Sequence, residues 1–295
     1  MRALIAVCLA TVASSLYALS AAFQALEARD APPESALRAS LLAGLVRRRV
    51  WLIGGLLGVV GWGLQAAALA LASVSLVQPA LGLGLVVLLM LGARVLGERV
   101  GAREVGGAGA IAIAVVVLGW AAPSQTGSFT TAGTWAVGAA LGVVAVLPYA
   151  LRALGRVGGL ATSVAAGLGW AWLGLGTALV DVSVADRRFV VALAWGIGVA
   201  IAGWSALLSE QTALQVWPAT RAIPVSFGLE MAAPAAVAPF LTHHGFRPLH
   251  GAPFLLALVV ACGGAVALGG SRSVARAVGP GDEAGARAAG PLTAP

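Results

Sequence analysis

The sequence predicts an all-α, polytopic membrane protein with about nine transmembrane helices. Of its 295 residues, 60% are hydrophobic and only 10% are charged, and the mean hydropathy is +0.95. Soluble domains carry about 25% charged residues, so the composition lies outside that class. The apolar residues also fall into runs of about twenty, the length that a helix needs to cross a hydrocarbon core about 30 Å thick.

Nine apolar runs follow one another along the chain, and mostly short gaps separate them. They cover residues 3–26, 50–72, 75–96, 103–121, 132–151, 158–180, 189–208, 214–238 and 252–270. The residues after Ser271 are rich in Gly, Ala, Pro and Arg, which predicts a flexible cytoplasmic tail over 272–295.

The arginines predict the orientation of the chain. The net charge is +7, and the basic residues lie mostly in the gaps between apolar runs, so they indicate topology and no nucleic-acid partner. If the first run enters from outside, the gaps around Arg47, Arg99 and Arg152 are cytoplasmic. We therefore expect an outer amino terminus and a cytoplasmic carboxyl terminus, in the inner membrane of the cell. The alternative is a cleaved signal peptide over the first run, which would place the Arg47 gap outside.

A weak internal similarity predicts two inverted repeats. Aligning Pro79 with Pro218 places Leu-Val-Gln-Pro-Ala over Gln-Val-Trp-Pro-Ala, and a Leu-Ala-Thr tripeptide recurs in the first and sixth runs. Equivalent runs are five helices apart, so they would cross the membrane in opposite directions. The predicted repeats are residues 1–121 with four helices and residues 122–271 with five.

A motif of proline and glycine surrounds the third and fourth runs. Pro79 leads into a run containing Gly82 and Gly84, a Gly97-Glu98-Arg99 turn follows, and Gly106-Gly107 opens the next run. This pattern resembles the drug/metabolite transporter superfamily of EamA-like proteins. The residues around the leading proline are similar to the branch that contains the NIPA-type magnesium transporter-like proteins.

The resemblance implies a fold and a mechanism. Larger members of this superfamily have ten helices in two inverted fives, and this chain resembles that arrangement without its first helix. Inverted repeats with a site at their interface are a common basis for alternating access in secondary transporters. In the second repeat, Leu241 to His244 stands where a second Gly-Glu-Arg turn would be expected. Glu98 is expected to fix its turn, within reach of Arg94 four residues earlier.

Two ionisable residues in the eighth run are the first candidates for a substrate pathway. Arg221 and Glu230 each cost about 2.5 to 3.5 kcal/mol to insert, and they lie about 13 Å apart on a regular helix, too far for a direct ion pair. The alternatives are that Arg221 extends to the headgroups and that Glu230 makes a structural hydrogen bond. Pro218 and Pro224 are predicted to break this helix and so to help line a cavity.

Four further residues are candidates for the same pathway. Gln65 lies deep in the second run, and the aromatic residues are Tyr17, Trp62 and Trp204. The competing interpretations are polar contacts that hold helices together, for the glutamine, and a belt at the membrane interface, for the aromatic residues.

The sequence therefore predicts a gradient-driven transporter of a small metabolite, with Glu230 as the proton-coupling carboxylate and Arg221 favouring an anionic or zwitterionic substrate. The alternatives are a NIPA-like transporter of magnesium or another divalent cation, and a non-transporting membrane scaffold. No catalytic constellation, cofactor motif or metal-ligand set occurs in the sequence, so we expect no enzyme, cofactor or bound metal. Expected partners are the substrate, membrane lipid and, as a further option, a second copy of the chain.

Overall fold

A computed structural model describes residues 2–71, 74–121, 130–241 and 251–269. Within these ranges the chain is helical and contains no β-strand. The long helices are α1 (Arg2–Arg29), α3 (Arg49–Leu71), α4 (Val74–Arg94), α5 (Ala102–Ala121), α6 (Thr131–Ala153), α7 (Gly159–Ala185), α8 (Phe189–Val216), α9 (Ala219–Leu241) and α10 (Gly251–Gly269). One turn of 3-10 helix (Pro33–Ser35) and the short α2 (Ala39–Leu45) connect α1 to α3.

Several helices are long and apolar enough to cross a membrane. Among the described residues, five spans meet that standard, and they are Arg2–Arg29, Arg49–Ala68, Thr131–Ala153, Gly159–Ala185 and Phe189–Val216. Large apolar side chains also cover their outer surfaces; Val190, for example, is 83% exposed and Trp135 is 75% exposed. A surface of this kind is stable in lipid and not in water, so the protein is embedded in a membrane.

Two boundaries differ from the sequence prediction. The gap before the second span contains α2, whose Leu41, Leu42 and Leu45 are buried against Trp51 and Leu208. The seventh run was expected to end at residue 208, but α8 continues to Val216. The polar residues of this last part lower the hydropathy without opposing a helix. Gln211 and Thr212 are buried, and they, like Glu210 and Gln215, are hydrogen-bonded to other parts of the chain.

The prolines of the eighth run act differently from one another. Pro218 separates α8 from α9, and its carbonyl oxygen accepts the backbone N–H groups of Arg221 at 3.0 Å and Ala222 at 2.9 Å. A proline just before the first turn is compatible with helix geometry. Pro224 lies inside α9 and does not end it, so the predicted break at that residue is wrong. Packing of α9 on its neighbours outweighs the loss of one backbone hydrogen bond.

The helices pack in two similar groups. α1 packs on α3 and α4, and α7 packs on α8 and α9. α4 in turn contacts α5, α9 contacts α10, and α5 packs on α10. Small residues allow the helices to approach closely at equivalent places in the two groups. A Cβ on Gly84 of α4 would lie 2.7 Å from the Ser14 carbonyl oxygen of α1. A Cβ on Gly167 of α7 would lie 2.5 Å from the Ser226 carbonyl oxygen of α9. α6 packs on α7 and α8.

Four connections meet at one end of the molecule, which we call the charged end. The Leu37 N–H donates to the Thr212 hydroxyl at 3.0 Å, and Arg152 donates to the Ala36 carbonyl oxygen. Arg29, the last residue of α1, reaches the Leu96 carbonyl oxygen after α4. The carboxyl ends of α1, α4, α6 and α8 and the amino ends of α3, α5, α7 and α9 therefore lie together. Consecutive long helices run alternately toward and away from this end.

Candidate functional site

The Gly97-Glu98-Arg99 turn follows directly after α4 at the charged end. Gly97 has a φ of +63°, in the left-handed region that favours glycine. The Glu98 N–H donates to the Gly92 carbonyl oxygen at 2.9 Å, which closes the turn. Arg99 is exposed, whereas Glu98 extends its side chain away from solvent.

Glu98 caps the first turn of α9. Its carboxylate accepts the N–H of Ala219 at 2.7 Å and that of Thr220 at 2.9 Å, and it also accepts the Thr220 hydroxyl. The first N–H groups of a helix have no partner within the helix and carry positive partial charge, so a carboxylate there is favourable. α4 ends at Arg94, so helical spacing does not reach Glu98. The basic partner of Glu98 is Arg29, instead of the expected Arg94.

Arg221 forms a buried ion pair with Glu104, in the first turn of α5. The Arg221 Nε and Nη2 atoms both donate to Oε1 of Glu104, at 2.9 and 2.6 Å. The carboxylate also accepts the Gly101 N–H at 2.9 Å, and the two charged side chains are only 10% and 6% exposed. Glu104 was not among the candidates from the sequence because it stands at the start of an apolar run. The signal that could have identified it is its position three residues after Gly101, just before the start of α5.

These contacts form what we call the junction, consisting of Arg29, Glu98, Glu104 and residues 219–221. It joins α1, the α4–α5 connection and the start of α9. A Cβ on Gly92 would collide with the Thr220 methyl group, so α4 and α9 touch directly beside the junction. The charged end is therefore closed between these elements.

A second polar group lies farther from the charged end, and we call it the interior cluster. The Tyr17 hydroxyl donates to Gln65 Oε1 at 2.7 Å. Glu230 interacts electrostatically with Tyr17 and with Glu210, and Glu210 accepts the indole N–H of Trp170. Five helices, α1, α3, α7, α8 and α9, thus each contribute one residue. Glu230 lies about 13 Å along α9 from Arg221.

Glu210 changes the expected chemistry of the interior. The predicted runs end at residue 208 and resume at residue 214, so they place Glu210 in a turn and leave Glu230 as the acidic side chain deep in a span. Because α8 continues to Val216, Glu210 instead lies within the helix. The signal was the helical spacing of Glu210 and Gln211 relative to the apolar residues before them. The interior cluster therefore holds two carboxylates that interact electrostatically.

α3 and α8 are joined near the charged end and diverge away from it. The Trp51 indole N–H donates to Gln211 Oε1 at 2.9 Å, and Gln211 donates to Gln24. On α3, Trp62 lies 11 residues farther from that end than Trp51, and on α8, Trp204 lies 7 residues farther than Gln211. Each tryptophan lies within about 20° of the helical face of that reference residue. Trp51 is 8% exposed and Gln211 is fully buried, yet Trp62 is 67% and Trp204 44% exposed. From this difference in exposure we infer an opening between the two helices, which we call the α3–α8 cleft.

One face of α7 shows the same gradient. Ser163, Trp170 and Thr177 are spaced by seven residues, so they lie within about 40° of one direction. Ser163 is buried, Trp170 is partly buried and Thr177 is exposed. Exposure along this face of α7 therefore increases with distance from the charged end.

The structure thus separates the predicted pathway residues into three places. Tyr17, Gln65 and Glu230 lie together in the interior cluster, Trp62 and Trp204 lie on the α3–α8 cleft, and Arg221 lies in the junction. Pro79 is part of α4, but its side chain is outside the described residues, as are residues 242–250 and the tail over 272–295.

In the part of the chain that the structure describes, no group of three or more His, Cys, Asp or Glu side chains is arranged to hold an ion. Two cavities, of about 480 and 350 Å³, lie between α4 and α5 and beside α2, and neither is lined by Arg221 or Glu230.

Comparisons with known proteins leave the family open. No family model, no curated protein and no solved structure matches the chain.

Proposed function

We propose that the chain is a secondary transporter of the drug/metabolite transporter type, which moves a small metabolite across the inner membrane by alternating access. The observation that carries this proposal is the interior pair of Glu210 and Glu230, between a closed junction and the open α3–α8 cleft. Intramembrane carboxylates are costly and commonly mark a transport pathway. A closed end and an open end are what one state of an alternating-access cycle requires.

The proposed architecture is nine membrane helices in two inverted repeats, residues 1–121 and 122–271. The packing of α1, α3, α4 and α5 parallels that of α7, α8, α9 and α10, which supports the repeat. Equivalent helices also run in opposite senses, because α1 ends at the charged end and α7 begins there. α6 is then the helix without a counterpart in the first repeat.

The charged end is proposed to be cytoplasmic. Its connections carry arginines at positions 29, 38, 47, 48, 49, 94, 99, 103, 152 and 156. The α7–α8 connection, at the opposite end, carries Arg187 and Arg188 beside Asp181 and Asp186. The positive-inside rule then places the amino terminus outside and the carboxyl terminus in the cytoplasm.

The substrate is proposed to carry a positive charge, such as an amine. Arg221 was the reason for expecting an anion, but its charge is paired with Glu104. The interior cluster instead offers two carboxylates beside Tyr17 and Trp170, and aromatic rings bind cations on their faces. Two carboxylates at low dielectric repel each other strongly, so a cation or a proton bound between them relieves the repulsion. Competition between proton and substrate for this pair would couple the two.

A divalent cation is the second candidate substrate. Glu210 favours it, because a second carboxylate, with the amide oxygen of Gln65, approaches the hard oxygen set that magnesium needs. A non-transporting scaffold is the remaining alternative, in which the interior cluster only holds helices together.

Uptake by purified protein in liposomes tests the proposal. Amines, amino acids and magnesium chloride would be offered with and without an inward proton gradient, and thermal shift would report binding in detergent. Glu230→Gln and Glu210→Gln are expected to abolish transport of the substrate found for wild type, with little loss of thermal stability. The matched control is Glu34→Gln, an exposed carboxylate near the charged end.

The outcomes separate the three candidates. A thermal shift and uptake with an amine support the first, and with magnesium the second. Neither binding nor uptake of any probe by a stable, monodisperse protein favours the scaffold. Uptake that both glutamate variants retain would remove the role assigned to the interior cluster.

A further inference from the structure

An apolar groove runs between α4 and α5, apart from the junction and the interior cluster. Its volume is about 480 Å³, and its walls include Leu85, Leu89 and Met90 from α4 and Ala108 and Gly109 from α5. Arg94, the last residue of α4, is the one charged side chain among the described residues that line it. The groove is thus apolar along its length and positive at the charged end.

The length of this groove matches one half of a bilayer. Leu85 and Arg94 are nine residues apart on α4, which corresponds to about 13 Å along the helix axis. Half of a hydrocarbon core is about 15 Å thick. Arg94 is exposed at the level where α4 ends, so its guanidinium lies where lipid headgroups would be.

This combination fits a lipid better than a soluble solute. A solute small enough to be transported would need polar partners along the walls, whereas an acyl chain needs only apolar contact. An arginine at one end complements a phosphate, because its planar guanidinium can donate two parallel hydrogen bonds to phosphate oxygens. Anionic phospholipids are also attracted to basic residues at a membrane surface.

We propose that the α4–α5 groove binds an anionic phospholipid, with one acyl chain against Leu85, Leu89 and Met90 and the phosphate on Arg94. This inference rests on the membrane embedding of the helices and is independent of transport. Bound there, the lipid would brace α4 and α5, whose connection carries Glu98 of the junction and whose second helix carries Glu104.

Gly109 offers a direct way to fill the groove. A Cβ at this position would meet no atom within 4 Å, and Gly109 lines the groove, so Gly109→Leu is expected to place its side chain there. Gly106, on the same helix, has equally open surroundings and does not line the groove. Gly106→Leu is therefore a matched control, and Arg99→Gln is the control for Arg94→Gln.

The test is native mass spectrometry of the full chain, purified in detergent and offered phosphatidylglycerol and phosphatidylcholine with identical acyl chains. Wild type is expected to retain phosphatidylglycerol about fivefold better, the preference expected of one basic residue near an anionic surface. Arg94→Gln should bind both lipids equally, and Gly109→Leu should lose retention of both. The two control variants should behave as wild type.

Three results would overturn the proposal. One is equal retention of the two lipids by wild type, and another is an unchanged preference in Arg94→Gln. The third is a dimer of wild type that Gly109→Leu converts to monomer without loss of lipid, which would make a second copy of the chain the occupant. Size-exclusion profiles of all variants verify that each is folded before the lipids are compared.

Discussion

Glu98 and Thr220 are 122 residues apart in the chain, yet the Glu98 carboxylate accepts the Thr220 backbone N–H at 2.9 Å. The contact joins the turn after α4 to the first turn of α9, in the two halves that we propose as repeats. A carboxylate in the Gly-Glu-Arg turn therefore caps a helix that begins far along the chain. Its counter-ion, Arg29, comes from the end of a third helix.

Removing this cap should destabilise the charged end. Glu98→Ala leaves the Ala219 and Thr220 N–H groups without their acceptor, and an unsatisfied buried group costs about 1 to 3 kcal/mol. We expect a lower unfolding temperature in detergent for Glu98→Ala and a smaller decrease for Glu98→Gln, whose amide oxygen still accepts. Glu34→Ala, an exposed acidic residue, is the control. Equal stability of Glu98→Ala and wild type would contradict the capping role.

The Arg221–Glu104 pair should behave as a coupled unit. Removing one partner leaves a buried charge uncompensated, at a cost of about 3 to 5 kcal/mol, whereas replacing both by apolar residues is often tolerated. Arg221→Met and Glu104→Met should each be strongly destabilised, and the double variant should recover most of the loss. A double-mutant cycle from reversible unfolding measures the coupling. Additive losses would show that the two side chains act independently.

Because α4 and α9 touch at Gly92 and Thr220, a substitution at Thr220 should compensate for the destabilising effect of one at Gly92. The new methyl group of Gly92→Ala would overlap the Thr220 methyl group, so this variant should have a lower unfolding temperature. Thr220→Ser removes only the methyl and keeps the hydroxyl that Glu98 accepts. The double variant should therefore be more stable than Gly92→Ala alone. If Thr220→Ser gives no recovery, the collision is not the cause of the loss.

The α3–α8 cleft should be open to small reagents. In a background without cysteine, Trp204→Cys and Trp62→Cys are expected to react rapidly with a thiol reagent that dissolves in water. Ala202→Cys, on the buried face of α8, should react slowly. If both cleft cysteines react as slowly as Ala202→Cys, the space is filled by lipid or closed.

Orientation in the membrane can be measured with the same chemistry. With an impermeant reagent on intact cells, Arg187→Cys should be labelled and Arg152→Cys should be labelled only after lysis. This pattern follows from the proposed cytoplasmic position of the charged end. The reverse pattern would invert the topology and with it the side on which the α3–α8 cleft opens.

Composition and hydropathy are enough to predict the class of the protein and the approximate extent of its long helices. Hydropathy is a local property that adds up over about twenty residues, so apolar runs can be read without knowing what they contact. The separation between Arg221 and Glu230 also followed from helix geometry alone. Hydropathy fails where polar residues continue a helix, which is why the end of α8, and Glu210 with it, was assigned to a turn.

The side chains that act together could not be predicted from the sequence. The partners Arg29 and Glu98, Glu104 and Arg221, and Glu210 and Glu230 lie on different elements of the fold, two of the pairs far apart in the chain. Their proximity depends on how α1, α5, α8, α9 and the α4–α5 connection pack. No periodicity within one helix specifies such a pairing, because it depends on the rotation and depth of two helices at once. The chemistry of the junction and of the interior cluster therefore comes from helix packing, whereas the presence of the helices comes from composition.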